Sequence, residues 1–366
     1  MIQFIDLGCL DPLSAGIKYG TAAKASIYKN IETTYLRLKK IGIDEETCLA
    51  EARQWADQCP ADYLTEIEGL AIGSAARVED IWLLNFRIEI AQPRQADLLA
   101  RKKDTSIITE APACTLFSIR NEDGYLQATG QNLDGLAAVE NCLVVTRRLT
   151  ETGETLVSIQ EAGVVGPSIG VSSVGFSLVY AGLIMESCKN RRDGTPLRAF
   201  FHRLLTQKSF GAVMSSMLES PPPYAVASIL NGRVENRVAV VEFLGEGVTV
   251  RHSNARIETH ANHATMPSAT RSLFERHLPD SLQRDKRLAL LLADSDKIDT
   301  EYLKNALSDH ENFPASICLH PRDKLAPIRR ASTLCGAIMD WREGILHVSD
   351  GRPCHEQWRA FKIPVT

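Results

Sequence analysis

The chain has 366 residues, 44% apolar and 23% charged, an ordinary globular balance with length enough for a substantial core in one large domain or two smaller ones. A net charge of −4 gives no electrostatic reason to expect nucleic acid or an anionic membrane as partner. No basic stretch followed by an apolar one opens the chain, and no apolar run approaches the roughly 18 residues of a membrane helix. Nine scattered cysteines without a CxxC pair complete the expectation: a cytoplasmic chain with reduced thiols, no disulfide framework and no zinc site.

In chain order, the first third reads as helical. Ile27, Ile31, Tyr35 and Leu38 are three to four residues apart within 21–41, one apolar helix face. Asp44 with Glu46 and Thr47 opens a second helix that ends near Pro60. The stretches 63–75 and 78–91 predict two more. Residues 92–113 contain Pro93, Arg94, Arg101, Lys102, Lys103, Asp104 and Pro112, and read as an exposed polar connector.

From Cys114 the texture changes to strands. Segments 115–119 and 125–129 flank Asn121-Glu-Asp-Gly124, a hairpin turn, and 143–149 and 155–160 flank another at 151–153. Strands follow at 176–181, 225–230, 238–243 and 248–252, with a closing pair at 333–341 and 345–349. Helices are predicted at 196–207, 270–279, 285–294 and 300–308. Hairpins interspersed with helices predict an antiparallel α+β fold, since a parallel sheet would alternate the two.

The chemistry concentrates around Ala111-Pro-Ala-Cys-Thr-Leu-Phe and Gly130-Gln-Asn-Leu-Asp-Gly135. A cysteine opening a strand is ordinarily a small buried hydrophobe. Here a helical segment, a linker and the small Ala113 precede it. A backbone break between Ala113 and Cys114 would make the cysteine a new amino terminus. A thiol titrates near ~8.5 and an α-amine near ~7.7–8.0, so the amine can serve as base for its own side chain. The same thiol would first cut the peptide bond, through an N-to-S acyl shift and hydrolysis of the thioester.

The chain resembles the acyl-coenzyme A:isopenicillin N acyltransferase family, a branch of the N-terminal-nucleophile hydrolases related to bile salt hydrolases and penicillin V acylases. Glu66-Ile-Glu-Gly-Leu-Ala-Ile-Gly73, with Asp80, Leu83, Leu84, Asn85, Arg87 and Glu89, resembles its pro-segment signature. Ala113-Cys114-Thr115 is similar to its cleavage site, and Gly130-Gln-Asn-Leu-Asp134 to its GQNxD motif. Gly170 to Leu183 resembles its GxNSxG strand, His260-Ala-Asn-His263 its HTNH, Ser268-Ala-Thr-Arg271 its SxxR and Gly351-Arg-Pro-Cys354 its closing GxPC. Seven weak motifs in the family's order make a specific match that spans nearly the whole chain.

The resemblance implies a four-layer αββα sandwich of the N-terminal-nucleophile hydrolase type. It implies residues 1–113 as a helical pro-segment retained as a small subunit, and 114–366 as the sheet-bearing catalytic segment of the same structural domain. Cys114 would be cleavage point and nucleophile, with Asp134 orienting the freed amine. Gln131 and Asn132 would fix the strand, and Thr115 and His260 would support the site. Asn262 would bond the new terminus or the substrate amide. Arg271 would pair with Asp134 or support the pocket. Without the motifs, Asp134 reads as a turn residue before Gly135, Asn262 as another turn residue and Arg271 as a solvated helix charge. The reaction implied is acyl transfer through a Cys114 thioester to water or to an amine, on a small N-acyl amino acid or peptide-like metabolite. No resident cofactor is implied, and acyl-coenzyme A is a candidate co-substrate.

Two departures bear on substrate. The family pattern has asparagine at the positions of Ser172 and Ala181, and the second commonly helps form the oxyanion hole. Ala181 has no side-chain donor, so a backbone N–H or Asn262 must hold the developing charge. His260 and His263, three apart, have no neighbouring cysteine or carboxylate in sequence to complete a metal set and read as structural. Gly163, Gly166 and Gly170 match no phosphate loop. Arg191-Arg192 reads as surface that could meet an acyl-coenzyme A phosphate. The rival readings are an inactive relative kept as a binding or scaffold protein, supported by Ala181, and a papain-like Cys/His protease, which would need a histidine base.

Overall fold

The computed structural model describes residues 1–101, 113–189, 194–245, 247–273, 280–293, 298–322, 324, 330–355 and 357–364. Strand β1 (Gln3–Gly8) precedes four helices: α1 (Pro12–Lys40), α2 (Glu45–Ala56), α3 (Ala61–Ser74) and α4 (Val78–Ala100). Local chemistry sets their starts. The Asp11 carboxylate accepts from the Ser14 N–H at the head of α1, with Pro12 in the first turn, and Asp44 caps α2 through the Thr47 N–H. Helices α1 and α3 cross with backbones almost in contact. A Cβ on Gly16 would stand 2.1 Å from the Glu66 carbonyl oxygen, and one on Gly73 2.2 Å from that of Ile17. The glycines of the 66–73 motif therefore permit a helix contact that no side chain would fit.

Two sheets follow. The eight-stranded sheet runs β1-β4-β5-β6-β7-β8-β9-β10, and the six-stranded one β11-β2-β3-β12-β13-β14. In the first, β4 is Leu143–Leu149, β5 Thr155–Glu161, β6 Ile169–Ser172, β7 Phe176–Gly182, β8 Ala225–Gly232, β9 Arg237–Leu244 and β10 Val248–Ser253. In the second, β2 is Cys114–Arg120, β3 Leu126–Leu136, β11 Ile257–His260, β12 Ala331–Asp340, β13 Ile345–Ser349 and β14 Trp358–Lys362. Every pairing is antiparallel except β1 with β4.

Period-two alternation divides the larger sheet's residues between two cores. Val144, Leu178, Val226 and Val241 face α1–α4, α5 (Leu197–Leu205) and α6 (Phe210–Glu219), whereas Val145, Val179, Ile229 and Val240 face the second sheet. The far side of the second sheet packs Phe117, Ile119 and Ile338 on Leu288 and Leu292 of α7 (Asp280–Ala293) and Leu303 and Leu307 of α8 (Thr300–Leu307). The architecture is a four-layer αββα sandwich of the α+β class, as expected. Among the described residues no helix is long and apolar enough to cross a membrane.

Three expectations need correction. The connector expected at 92–113 is helix as far as Ala100, through Pro93. Buried Gln92 donates to the Leu183 and Ala225 carbonyls, and Ala96 and Leu99 pack on Leu183 and Ile184, so tertiary burial overrides the proline signal. Residues 102–112 lie outside the described residues, as do Arg191 and Arg192, and Ala113 is buried. The helix expected at 270–279 is absent over 270–273, where Ser272 bridges to Met185, and 274–279 lie outside the described residues. Strands β1, β11 and β14 and helix α6 escaped the sequence reading. The strands are four to six residues long and owe their state to distant partners.

Candidate active site

Cys114 is the first residue of β2, paired across from Leu133 so that Thr115 faces Asn132 and Leu116 faces Gln131. Its backbone N–H and carbonyl are each held by a side chain. The Asn262 Oδ1 accepts the Cys114 N–H at 2.6 Å. The Arg284 guanidinium donates to the Cys114 carbonyl at 2.6 Å, to Thr115 Oγ1 at 2.9 Å and to Asn262 Oδ1 at 3.0 Å. Asn262 in turn donates from Nδ2 to the Gly182 carbonyl at the end of β7. Its backbone N–H reaches Ser281 Oγ in the first turn of α7 at 2.8 Å.

Asp134 lies on β3, two-hundredths exposed. Its Oδ1 accepts from Thr333 Oγ1 at 2.6 Å, and its buried Oδ2 has no hydrogen-bond partner among the described residues. A bulge in β12, where Leu334 is the extra residue between Thr333 and Cys335, aims Thr333 at it. Burial pushes the Asp134 carboxyl up to about 8, against the pull of Arg284 and the Thr333 bond. Burial, with the Asp134 charge second, pushes the Cys114 thiol up to about 12 in the uncut chain. Burial thus favours the protonated form of both groups in the uncut chain.

The supporting residues tie this centre to the rest of the sandwich. Gln131 exchanges bonds with the Tyr180 backbone of β7, accepting its N–H at 3.0 Å and so linking the two sheets. Asn132 donates from Nδ2 to the Leu307 and Ile317 carbonyls. His260 Nε2 contacts Glu242 at 2.8 Å and its Nδ1 the Ala261 carbonyl, while His263 contacts Ser281 and, at 3.6 Å, Asp285. Among the described residues, the side-chain hydrogen bonds to the Cys114 backbone come from Asn262 and Arg284, not from either ring. Ala181 is wholly buried and paired with Ala227 in the larger sheet, and Ser172 is wholly buried in β6.

Arg271 is a correction. Its side chain is 71% exposed and pairs with Glu186 at 3.2 Å, not with Asp134. The charge at the centre comes from Arg284, which the sequence reading missed. A signal was present: Ser281, Arg284, Leu288 and Leu292 are the buried residues of α7, so an arginine interrupts the apolar stripe.

Cys114 and Asp134 open onto a cavity of about 120 Å³, against the 10–15 Å³ a single water requires. Its walls are largely apolar, with Leu38, Leu133, Leu136 and Ile184 among them, and carry Arg37, Arg87 and Arg198 against Glu161. Arg87 pairs with Glu161. Arg198, 3% exposed, donates to Ser168 Oγ at 2.9 Å and leaves a buried Nε without a partner among the described residues.

No family model matches the chain. Over 348 residues it is 27% identical to the acyl-coenzyme A:6-aminopenicillanic-acid-acyltransferase 40 kDa form of Emericella nidulans, a match that covers 93% of this chain and 91% of that relative. The resemblance drawn from the motifs is thus borne out along the chain. Among solved structures, a mutant conjugated bile acid hydrolase from Clostridium perfringens aligns at TM-score 0.47 and 14% identity, over 68% of this chain and 92% of that one. A Caenorhabditis elegans N-acylethanolamine-hydrolyzing acid amidase ortholog aligns at 0.45 and 14%, over 62% and 92%.

Proposed function

We propose that this chain is a self-processing enzyme with an N-terminal cysteine nucleophile, which moves an acyl group through a thioester on Cys114. The observation that carries the reading is the grip on the Cys114 backbone: Asn262 holds the N–H of the Ala113–Cys114 peptide and Arg284 the carbonyl of the following Cys114–Thr115 peptide, each at 2.6 Å. In the first event the Cys114 sulfur adds to the Ala113 carbonyl carbon. The Ala113–Cys114 C–N bond breaks, and the thiol proton passes to the departing nitrogen, which stays with Asn262. Water then hydrolyses the thioester, leaving the Ala113 carboxylate and a Cys114 that bears a free thiol and a free α-amine. In turnover that amine takes the thiol proton and sulfur attacks the substrate acyl carbon; the substrate's acyl–N or acyl–S bond breaks, the ammonium returns the proton to the departing amine or thiolate, and water or an acceptor amine then attacks the thioester carbonyl, taking the acyl group and restoring the Cys114 thiol.

Asp134 orients the freed amine, while Gln131 and Asn132 hold β3 in place and Thr115 completes the Arg284 fork. His260 is a positioning residue through Glu242. The fragments 1–113 and 114–366 stay associated because bonds cross the cut throughout. β1 pairs with β4, Asn85 bonds the Gly163 and Val165 backbone, and Glu89 accepts the Leu197 N–H. Free cysteines at all nine positions fit a reducing compartment such as the cytoplasm.

The cavity indicates the substrate class. Apolar walls suit an acyl chain, and three arginines against two carboxyl groups, Glu161 and Asp134, favour an anionic group beside it. A small N-acyl amino acid or peptide-like carboxylate meets both conditions. The acyl donor is an amide or a thioester such as acyl-coenzyme A.

Intact mass of the purified chain tests maturation. Two associated fragments are expected, the larger beginning Cys-Thr-Leu-Phe, and Cys114→Ala remains uncut and inactive. A single uncut chain with full activity overturns the proposal. Incubation with N-acyl amides and acyl thioesters, with and without amine acceptors, should place an acyl adduct on Cys114. A free-acid product marks a hydrolase and a new amide a transferase. Arg198→Leu should raise KM for carboxylate-bearing substrates more than for their amidated counterparts. If no member of the panel acylates mature protein, the binding-protein reading replaces the enzyme.

A further inference from the structure

One side-chain cluster has no part in the Cys114 chemistry. The loop between α8 and β12 carries His310, Cys318 and His320, and the short 3-10 turn Pro353–His355 between β13 and β14 brings Cys354 to it. The ligand atoms of these four residues all lie within 4.8 Å of one another. His320 Nε2 stands 3.0 Å from His310 Nε2, 3.6 Å from Cys354 Sγ and 3.8 Å from Cys318 Sγ. A tetrahedral zinc ion, with bonds of ~2.3 Å to sulfur and ~2.0 Å to nitrogen, separates its ligands by about 3.3–3.8 Å. The three His320 spacings fall within a few tenths of an ångström of that range, and with every ligand atom inside 4.8 Å of the others, binding would draw the widest pair together by about 1 Å.

We propose that His310, Cys318, His320 and Cys354 bind one zinc ion in a closed Cys₂His₂ site. Two sulfurs and two imidazoles are a soft, tetrahedral donor set that suits zinc, whereas calcium and magnesium select oxygen ligands. All four positions are filled by protein, so the site is structural: no coordination place is left for a catalytic water. Binding balances simply. One Zn²⁺ displaces the protons of two thiols, and the two thiolates neutralise its charge. His310 is exposed and His320 and Cys354 are half-buried, which gives the ion an entry path.

The site clamps two segments of the chain behind the catalytic strand. The loop that carries Cys318 and His320 exchanges bonds with Thr333: the Leu319 N–H donates to Thr333 Oγ1, and the Thr333 N–H to the Leu319 carbonyl. The same Thr333 hydroxyl donates to Asp134. Asn132, two residues earlier on β3, donates to the Ile317 carbonyl of that loop. The zinc clamp therefore fixes the backing of Asp134 through the loop that bonds Thr333 and Asn132. Absence of a CxxC pair from the sequence concealed it, because the ligands come from two separate segments.

The test uses the full chain, stripped with a chelator under reducing conditions and titrated with Zn²⁺. About one equivalent should bind tightly by elemental analysis, and Co²⁺ in its place should give the visible absorption of a tetrahedral thiolate complex. His310→Ala, at an exposed position, and Cys354→Ser should each abolish stoichiometric uptake, while Cys9→Ser at an exposed position retains it. Zinc should raise the melting temperature of the parent chain and leave that of His310→Ala unchanged. No uptake at micromolar Zn²⁺, or equal uptake by the parent and both ligand variants, overturns the proposal. So does a Cys318–Cys354 disulfide in purified protein whose reduced form takes up no zinc.

Discussion

Cys114 and Cys318 are both buried thiols, yet their surroundings put them to different uses. Around Cys114 the polar side chains are committed to one another and to backbone: Asn262 to its N–H, Arg284 to its carbonyl, and Thr333 to the neighbouring Asp134 carboxyl. The sulfur is left facing a cavity. Around Cys318 a second thiol and two imidazoles bring their ligand atoms within 4.8 Å of one another. A single sulfur beside an oriented acyl group is a nucleophile, whereas two sulfurs and two ring nitrogens converging on a point are a ligand set. The neighbours, more than the residue, assign the chemistry.

The sharpest way to separate the two centres is to remove one sulfur at a time. Cys114→Ala should abolish self-cleavage and turnover completely while zinc uptake stays at about one equivalent. Cys354→Ser should lose zinc and still appear as two fragments by intact mass. Zinc lost with Cys114, or cleavage lost with Cys354 in a folded chain, would merge the two centres into one.

Arg284→Lys is expected to have the next largest effect. Lysine keeps the charge but cannot reach the Cys114 carbonyl, Thr115 and Asn262 together, as the guanidinium fork does. Losing donors that preorganise a reacting group elsewhere costs about 10²–10³ in rate. Self-cleavage followed by mass spectrometry over time should slow by that order. An unchanged rate in Arg284→Lys would reduce the arginine to a structural strut.

The same comparison explains what the sequence made legible. Cys114, Asp134 and Asn262 stand in short motifs whose spacing along the chain is kept by strands β2 and β3 and the turn after β11, so local reading found them. Arg284 lies just before the helix predicted at 285–294, in the first turns of the observed one, and its neighbours Asp280 and Asp285 make it look like one more surface charge. Only its position on the buried stripe distinguishes it. Arg271 had a motif and no burial. The α+β class was legible because alternation and helical periodicity are local. The layering was not legible from periodicity, since both faces of the larger sheet are buried and its strands read as plain apolar runs; it was expected only from the family resemblance. The zinc ligands were illegible because the pairing of β12 with β13 brings Cys354 beside a loop more than thirty residues upstream.

Asp134 offers a pH test of the burial that sets this centre apart. In the uncut chain burial raises its carboxyl to about 8, against ~3.9 for an unfolded aspartate. The fold thus prefers the neutral acid. Its contribution to stability is complete below about pH 4 and is lost as pH rises through about 8. Cys114→Ala, held uncut, should melt at progressively lower temperature between pH 6 and pH 9, and adding Asp134→Asn should flatten that slope. Cleaved parent protein should also show a weaker slope, because an ammonium beside Asp134 favours the carboxylate. Parallel slopes in the single and double variants would show that another group controls the titration.

Arg271→Ala should produce the smallest change, and its smallness is informative. The side chain is 71% exposed, and its partner Glu186 stands 3.2–3.5 Å away at the surface. Exposed pairs of this kind contribute ~0–1 kcal/mol, because water screens both charges and two long side chains lose freedom to meet. None of that energy is coupled to Cys114, whose carbonyl is held by another arginine. Cleavage and turnover should therefore remain within about twofold, ~0.4 kcal/mol of barrier, with the melting temperature nearly unchanged. The measurement has force when run beside Arg284→Lys on the same substrate and at the same pH. A tenfold loss in Arg271→Ala with none in Arg284→Lys would return the catalytic assignment to the SxxR motif, and would mean that the exposed arginine folds inward when substrate arrives.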